Sequence, residues 1–179
     1  TLSLHDALPI CPVLSALTIG LGSVAEVRRR AREAAGHALV KLKLDTTRHI
    51  AWLQAVREEL PQVRLIVDAN QAWDAALLER LLPALVEAGV ELIEQPLPRG
   101  GDAALAGLDS PIPIAADESC TDRASLPALQ GRYQAVNIKL DKCGGLSEAL
   151  ALARDARAAG LHVMVGNMCG SSLAMAPAF

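Results

Sequence analysis

The chain of 179 residues predicts an α/β fold on a parallel sheet, closed as a barrel rather than doubly wound. Three observations carry this. Short aliphatic runs alternate strictly with Ala/Leu/Arg/Glu-rich segments of helical period. The runs are apolar enough to be covered on both faces, as parallel strands are. Neither GxGxxG nor GxxxxGK[ST] follows the first run, which disfavours a nucleotide-binding doubly wound sheet.

The elements read in order. Leu17-Thr18-Ile19-Gly20-Leu21-Gly22 opens the series as strand 1. The segment after it starts with Ser23 and Glu26 in capping-box spacing, and Gly36 ends it. Strand 2 is LVKLKLD at 39–45, followed by a helix carrying Trp52. Further strands are VRLIVD at 63–68, VELIE at 90–94, IPIAAD at 112–117, AVNIKL at 135–140 and LHVMVG at 161–166. Gly89 and Gly160 close the helices before strands 4 and 7.

Composition limits the function classes. Seventeen Lys+Arg against 20 Asp+Glu give a net charge of −3, with no basic excess for nucleic acid or a membrane surface. With 51% hydrophobic and 21% charged residues the chain is globular. Its few aromatics, Trp52, Trp73, Tyr133 and Phe179, leave the core to aliphatic side chains. Cys11, Cys120, Cys143 and Cys169 form no CxxC pair and read as reduced thiols of a cytoplasmic protein, mostly packing residues. The uncharged stretch from Ala7 to Ala25 is interrupted by Pro9, Pro12, Gly20 and Gly22, and no Lys or Arg precedes it, so neither a membrane span nor a signal peptide is expected.

The chemistry lies at the strand ends. Strands 3, 4 and 5 end in Asp68, Glu94 and Asp117. Sites on parallel barrels form at the C-terminal ends of the strands, so neighbouring strands deliver these carboxylates to one place. Singly, each reads as a helix cap or a solvated loop residue; together they repel unless a cation intervenes, and all-oxygen ligation points to Mg²⁺, with Mn²⁺ as a substitute. Lys41 and Lys43 point to one side of strand 2, and Lys139 stands near the end of strand 6, across the barrel mouth. The alternative for Lys41 and Lys43 is an edge strand with lysines snorkelling to water. As close neighbours the two should lower each other's proton affinity, toward the range a general base needs.

Lys41-Leu42-Lys43, Asp68-Ala69-Asn70, Glu94-Gln95-Pro96, Asp117-Glu118-Ser119, Asn137-Ile138-Lys139 and Gly144-Gly145, in this order, resemble the barrel domain of the enolase superfamily, muconate-lactonising subgroup. The closing segment Val165–Pro177 is most similar to that of dipeptide epimerases of the L-Ala-D/L-Glu type. The resemblance implies a TIM-like (β/α)7β barrel, here incomplete, with the eighth strand and its Asp-x-Asp pair and the N-terminal capping domain absent. Residues 1–11 are then an unassigned leader, the first ten matching nothing in the pattern and reading as a junction, and 12–179 are a partial C-terminal barrel domain. It further implies Asp68, Glu94 and Asp117 as metal ligands, Lys43 and Lys139 as the acid/base pair, and Lys41 as the residue that tunes Lys43 and touches the substrate carboxylate. The implied reaction is Mg²⁺-dependent 1,1-proton transfer on a dipeptide through a metal-stabilised ene-diolate. The implied partner is a small carboxylate or dipeptide, with neither nucleic acid nor membrane; a homo-oligomer is compatible with the full-length protein.

Within the superfamily, o-succinylbenzoate synthase, N-acylamino-acid racemase and cycloisomerase would use the same groups. A Schiff-base lyase using Lys139, or an inactive fragment, are the readings from other classes. Asn70 is either support for the ligands or a turn residue. His162 lies at the wrong end of strand 7 for a base, and His5, His37 and His49 read as surface residues. Lys142 is expected to point away from Lys139, solvated or meeting a loop acid, and Cys120 to be a packing residue.

Overall fold

The computed structural model describes residues 14–178, so the leader, His5, Cys11 and Phe179 lie outside the described residues. The elements run β1 (Leu17–Ile19), α1 (Val24–Glu33), β2 (Leu39–Lys43), α2 (His49–Glu59), β3 (Arg64–Asp68), α3 (Ala75–Glu87), β4 (Val90–Glu94) and β5 (Ile114–Ala116). They continue with α4 (Leu126–Leu129), β6 (Ala135–Ile138), α5 (Leu140–Cys143), α6 (Leu146–Ala158), β7 (His162–Val165) and α7 (Ser172–Met175). The seven strands form one sheet in the order β1-β2-β3-β4-β5-β6-β7, every pair parallel. Sequential parallel order is that of a TIM-like barrel and not of a doubly wound sheet. Among the described residues no helix is long and apolar enough to cross a membrane.

Local chemistry accounts for the boundaries. Ser23 caps α1 by accepting from the Glu26 amide at 3.2 Å, and Glu26 reaches back to the Ser23 amide at 2.7 Å. Asp74 caps α3 by accepting from the Leu77 amide at 2.7 Å. Gly36, Gly89 and Gly160 adopt φ of 91°, 63° and 81° in the turns before β2, β4 and β7, which non-glycine residues rarely enter. β5 is shorter than its apolar run because Pro113 has no N–H for a ladder. Between β4 and β5 the helical segment shrinks to a 3-10 turn at Asp102–Leu105.

The two faces of the sheet differ in kind. Val40, Leu42 and Leu44, Leu65 and Val67, Ile93, Ile114 and Ala116, and Val136 and Ile138 join α-helical residues such as Val27, Trp52, Leu78, Leu85 and Leu152 in one core between sheet and helices. The alternate residues, Lys41, Lys43, Asp68, Glu94, Asn137 and Lys139, therefore share the inner face. Leu42 is fully buried between the two lysines of β2 and anchors that strand. Leu42→Ala should destabilise the intact protein by about 2–5 kcal/mol through the cavity it leaves, read from urea unfolding; a change under about 0.5 kcal/mol would show that β2 is held by something other than this packing.

Candidate active site

The ladder register aligns the site. Lys43 pairs with Asp68, and Asp68 with Glu94, so one row of β2, β3 and β4 carries a lysine and two acids at the strands' C-terminal ends. Asp117 follows the end of β5, and Lys139 follows β6. Asp68 and Glu94 are fully buried and Asp117 is 2% exposed. Charges so placed need partners, and lysines supply them. Lys41 Nζ and Lys43 Nζ each stand 2.7 Å from the same oxygen, Asp68 Oδ2, and Lys41 also lies 2.6 Å from Glu94 Oε2. Lys139 Nζ lies 2.6 Å from Asp117 Oδ2. β2 and β6 are four places apart in the sheet order, so ammonium groups enter the site from well-separated strands.

Lys142 departs from its expected place. Its Nζ lies 2.6 Å from Asp117 Oδ1 and donates also to the carbonyls of Asp117 and Asn137. The cause is α5: Lys139 is the N-cap of this single turn, which returns residue 142 to the side of the chain that faces Asp117. A strand continuing past Lys139 would have sent it elsewhere. The acid at the end of β5 is thus clasped by two lysines, one on each carboxylate oxygen.

The electrostatics follow from burial and neighbours. Burial pushes the Glu94 carboxyl up and the nearby Asp68 charge pushes it further, against the opposing pull of Lys41. Burial also pushes Asp117 up, but hydrogen bonds from Lys139 and Lys142 and their charges more than reverse this and hold it below the usual range. For Lys41, burial works against the charge, yet Glu94 and Asp68 outweigh it and raise its proton affinity. The lowering expected at Lys41 from its neighbour Lys43 is therefore not found. Two buried carboxylates at 2.7 and 2.6 Å dominate over the like charge.

Several supporting residues escaped the sequence reading. Asn137 Nδ2 donates to Glu94 Oε1 at 2.8 Å. Gln95, fully buried, donates to Leu97 O at 2.9 Å, Ser119 Oγ at 3.0 Å and Tyr133 Oη at 3.2 Å. Its Oε1 accepts from the amides of Asp117 at 2.9 Å and Ser119 at 3.1 Å. Asp102 accepts from Ser119 and Tyr133 behind it, and burial followed by that Asp102 contact pushes the Tyr133 hydroxyl up. Gln95 has φ of 36°, and Asn70 and Gln71 have 43° and 66°. Left-handed non-glycine residues within three positions of the ends of β3 and β4 mark a rim whose backbone is held by its surroundings. Asn70 is both a turn residue and a support: its side chain accepts from Lys43, and its amide donates to Asp68 Oδ1 at 2.9 Å. The clue for Asn137 was its position two residues before Lys139 on one strand.

The residues set aside are placed as follows. His162 is exposed at the start of β7, and His37 is exposed. His49, expected at the surface, is half-buried, its ring edge-on to Trp73 at 6.1 Å and its Nδ1 2.6 Å from the Asp45 carbonyl. Trp73 is buried and donates to the same carbonyl at 2.9 Å. Cys120 and Cys143 are buried; Cys169 is exposed.

The acids' chemistry bears on whether they suit a divalent cation. Three buried carboxylates, one raised in proton affinity by burial and then by another's charge, form an oxygen-rich site whose charge is met by lysines, Lys41 standing 2.6 Å from Glu94 Oε2. This donor set fits a hard dication. Among the described residues no three His, Cys, Asp or Glu side chains close around a point as a ready-made cage. Asp68 and Glu94 share Lys41, while Asp117 answers to Lys139 and Lys142.

Fold and site together define a parallel α/β-barrel domain with buried acids and lysines at the strands' C-terminal rim. The chain belongs to the Enolase C-terminal domain-like family, which matches residues 23–179. It is 54% identical over 140 residues to an N-acetyl-D-glutamate racemase from Pseudoalteromonas sp., covering 78% of the chain and 44% of that protein. It is 46% identical over 168 residues to the L-Ala-D/L-Glu epimerase of Escherichia coli K12, covering 93% of the chain and 52% of that protein. Among solved structures, an Agrobacterium tumefaciens enolase family member with homology to dipeptide epimerases, with bound sodium and L-Ala-L-Glu, superposes with a TM-score of 0.91 at 44% identity, over 96% of the chain and 52% of its own. A Methylococcus capsulatus dipeptide epimerase complexed with Mg and L-Arg-D-Lys superposes with a TM-score of 0.86 at 37% identity, over 93% and 50%. The chain thus spans about half the length of the relatives it matches.

Proposed function

We propose that the intact protein is an isomerase that inverts the α-carbon of an N-acylated glutamate, with L-Ala-D/L-Glu as the leading substrate, by Mg²⁺-dependent 1,1-proton transfer between Lys43 and Lys139. The observation that carries this reading is the pair of lysines on strands four apart, Lys43 at Asp68 and Lys139 at Asp117, flanking buried acids on one rim. Inversion requires one group to take the proton from one face and another to give it back on the opposite face. The relatives support the substrate class: the epimerase inverts a glutamate acylated by alanine, and the racemase one acylated by acetate. The shared chemical unit is a glutamate with a blocked nitrogen and a free α-carboxylate.

The residues divide the work. Asp68, Glu94 and Asp117 would hold Mg²⁺, which when bound supplies positive charge against the substrate carboxylate as the α-proton leaves. Lys43, sharing Asp68 Oδ2 with Lys41, is the proton acceptor for one epimer. Lys139 serves the other. Lys41, the more buried of the two lysines on β2, keeps positive charge between Asp68 and Glu94 and faces the substrate carboxylate.

The test is to incubate the intact protein with Mg²⁺ and either L-Ala-L-Glu or N-acetyl-D-glutamate in D₂O, following the α-proton by NMR. Loss of the glutamate α-proton signal is expected, fastest for the dipeptide, with inversion read from the Ala methyl signal of the other dipeptide diastereomer and, for N-acetyl-glutamate, from optical rotation. Turnover of N-acetyl-D-glutamate alone would move the assignment to the racemase reading, and no exchange on either compound would refute the proposal.

A further inference from the structure

Asn137 stands in the middle of β6 and is 1% exposed. Its amide nitrogen donates to Glu94 Oε1 at 2.8 Å, while its amide oxygen is buried without a hydrogen-bond partner. Leaving a buried acceptor unpaired is unfavourable, so the rotamer is held by something else. Gly166, directly after β7, supplies the constraint. Its amide donates to Ile138 O at 2.9 Å, pinning it beside β6, and a Cβ built there would fall 2.6 Å from Asn137 Oδ1 and 2.8 Å from Nδ2. Its backbone is not in the left-handed region, so space alone excludes a side chain at 166. The Asn137 carbonyl meanwhile accepts from Lys142 at 2.9 Å, and Lys142 grips Asp117. One residue thus touches the acid of β4 through its side chain and, through Lys142, the acid of β5.

We infer that Asn137, seated in the space left open by Gly166, is a positioning residue that fixes the Glu94 carboxylate for cation binding. The inference rests on the Mg²⁺-dependent reading above. With Oε1 tied to Asn137, rotation of the carboxylate is stopped and Oε2, ion-paired to Lys41 at 2.6 Å, is the oxygen left for a cation to share. A space-filling role would require only shape at position 137; a positioning role requires the donor.

Four variants of the intact protein, Asn137→Leu, Asn137→Ala, Gly166→Ala and Asn137→Ala/Gly166→Ala, separate these roles, with Mg²⁺ alone titrated calorimetrically and circular dichroism following the fold. Asn137→Leu keeps the branched shape and removes the donor; Gly166→Ala keeps Asn137 but takes its space; Asn137→Ala/Gly166→Ala relieves the clash. Each single change is expected to weaken Mg²⁺ binding roughly 10–100-fold, the usual effect of removing a hydrogen-bonding partner from a ligating group. The double variant should bind no more weakly than Asn137→Ala alone, because the alanine at 166 then displaces nothing. Folded Asn137→Leu binding Mg²⁺ within twofold of the unaltered protein would overturn the inference, as would Gly166→Ala doing so; the latter decides the matter if Asn137→Leu does not fold. Absence of Mg²⁺ binding to the unaltered protein is the distinct result that removes the metal-dependent reading, and this inference with it.

Discussion

Replacing either Lys43 or Lys139 by alanine in the intact protein is expected to lower net epimerisation in both directions by at least about 10²–10⁴-fold, the span attributed to a positioned acid or base. The two losses should nevertheless be distinguishable. If the lysines address opposite faces of one α-carbon, each epimer gives its proton to a different one. Lys43→Ala should then abolish α-proton exchange with D₂O for one epimer and leave the other exchanging without inversion, and Lys139→Ala should show the reverse pattern. Exchange survives because the remaining lysine can remove and return a deuteron on its own face while the acids are intact. The contacts make both changes mild for the fold: when Lys43 is removed, Asp68 retains Lys41 on the same oxygen. Asp117 likewise keeps Lys142 when Lys139 is removed. Near-normal epimerisation by either variant would show its lysine to be structural.

What the sequence reveals and what it hides divide along physical lines. The strand ends were legible because apolar runs stop at Asp68, Glu94 and Asp117, and the inner position of Lys41 and Lys43 because side chains alternate with period two along a strand. Lys142 was misplaced because a single helical turn after Lys139 replaces the strand's periodicity over four residues. The proton affinity of Lys41 was misjudged because the sequence displays its neighbour in the chain, Lys43, and not the distances to Glu94 and Asp68 across the sheet. Gln95 and Asn137 were visible in motifs, yet their work is to join strands. Gln95 ties β4 to the Asp117 amide, and Asn137 ties β6 to Glu94, links between residues 22 and 43 positions apart. Such contacts depend on which strands become neighbours at the rim, and only the fold decides that.

Chelation of the intact protein should remove activity to the background rate, and added Mg²⁺ should restore it. Glu94→Gln should weaken Mg²⁺ binding by more than about 100-fold, beyond the roughly 10–100-fold expected for losing a partner that only supports a ligand. The reasoning starts from charge. Glu94 is buried beside Asp68, and both burial and that neighbour raise its proton affinity, so protons compete with a cation for it at higher pH than for an exposed glutamate. The apparent Mg²⁺ affinity of the unaltered protein should therefore rise with pH above the ordinary carboxylate range and level off once Glu94 is ionised. Glutamine at 94 removes the titrating group and should flatten that part of the profile. The substitution keeps an oxygen and nearly the same volume, and it relieves the repulsion with Asp68, so the melting temperature without metal should not fall far. One counter-effect is built in: Lys41 loses one of its two carboxylate partners, so its ammonium is less well compensated. Calorimetric titration of Mg²⁺ across pH, with and without the substitution, separates these contributions. Full activity in excess chelator would exclude the metal's part altogether, and unchanged Mg²⁺ affinity in Glu94→Gln would remove Glu94 from the ligand set.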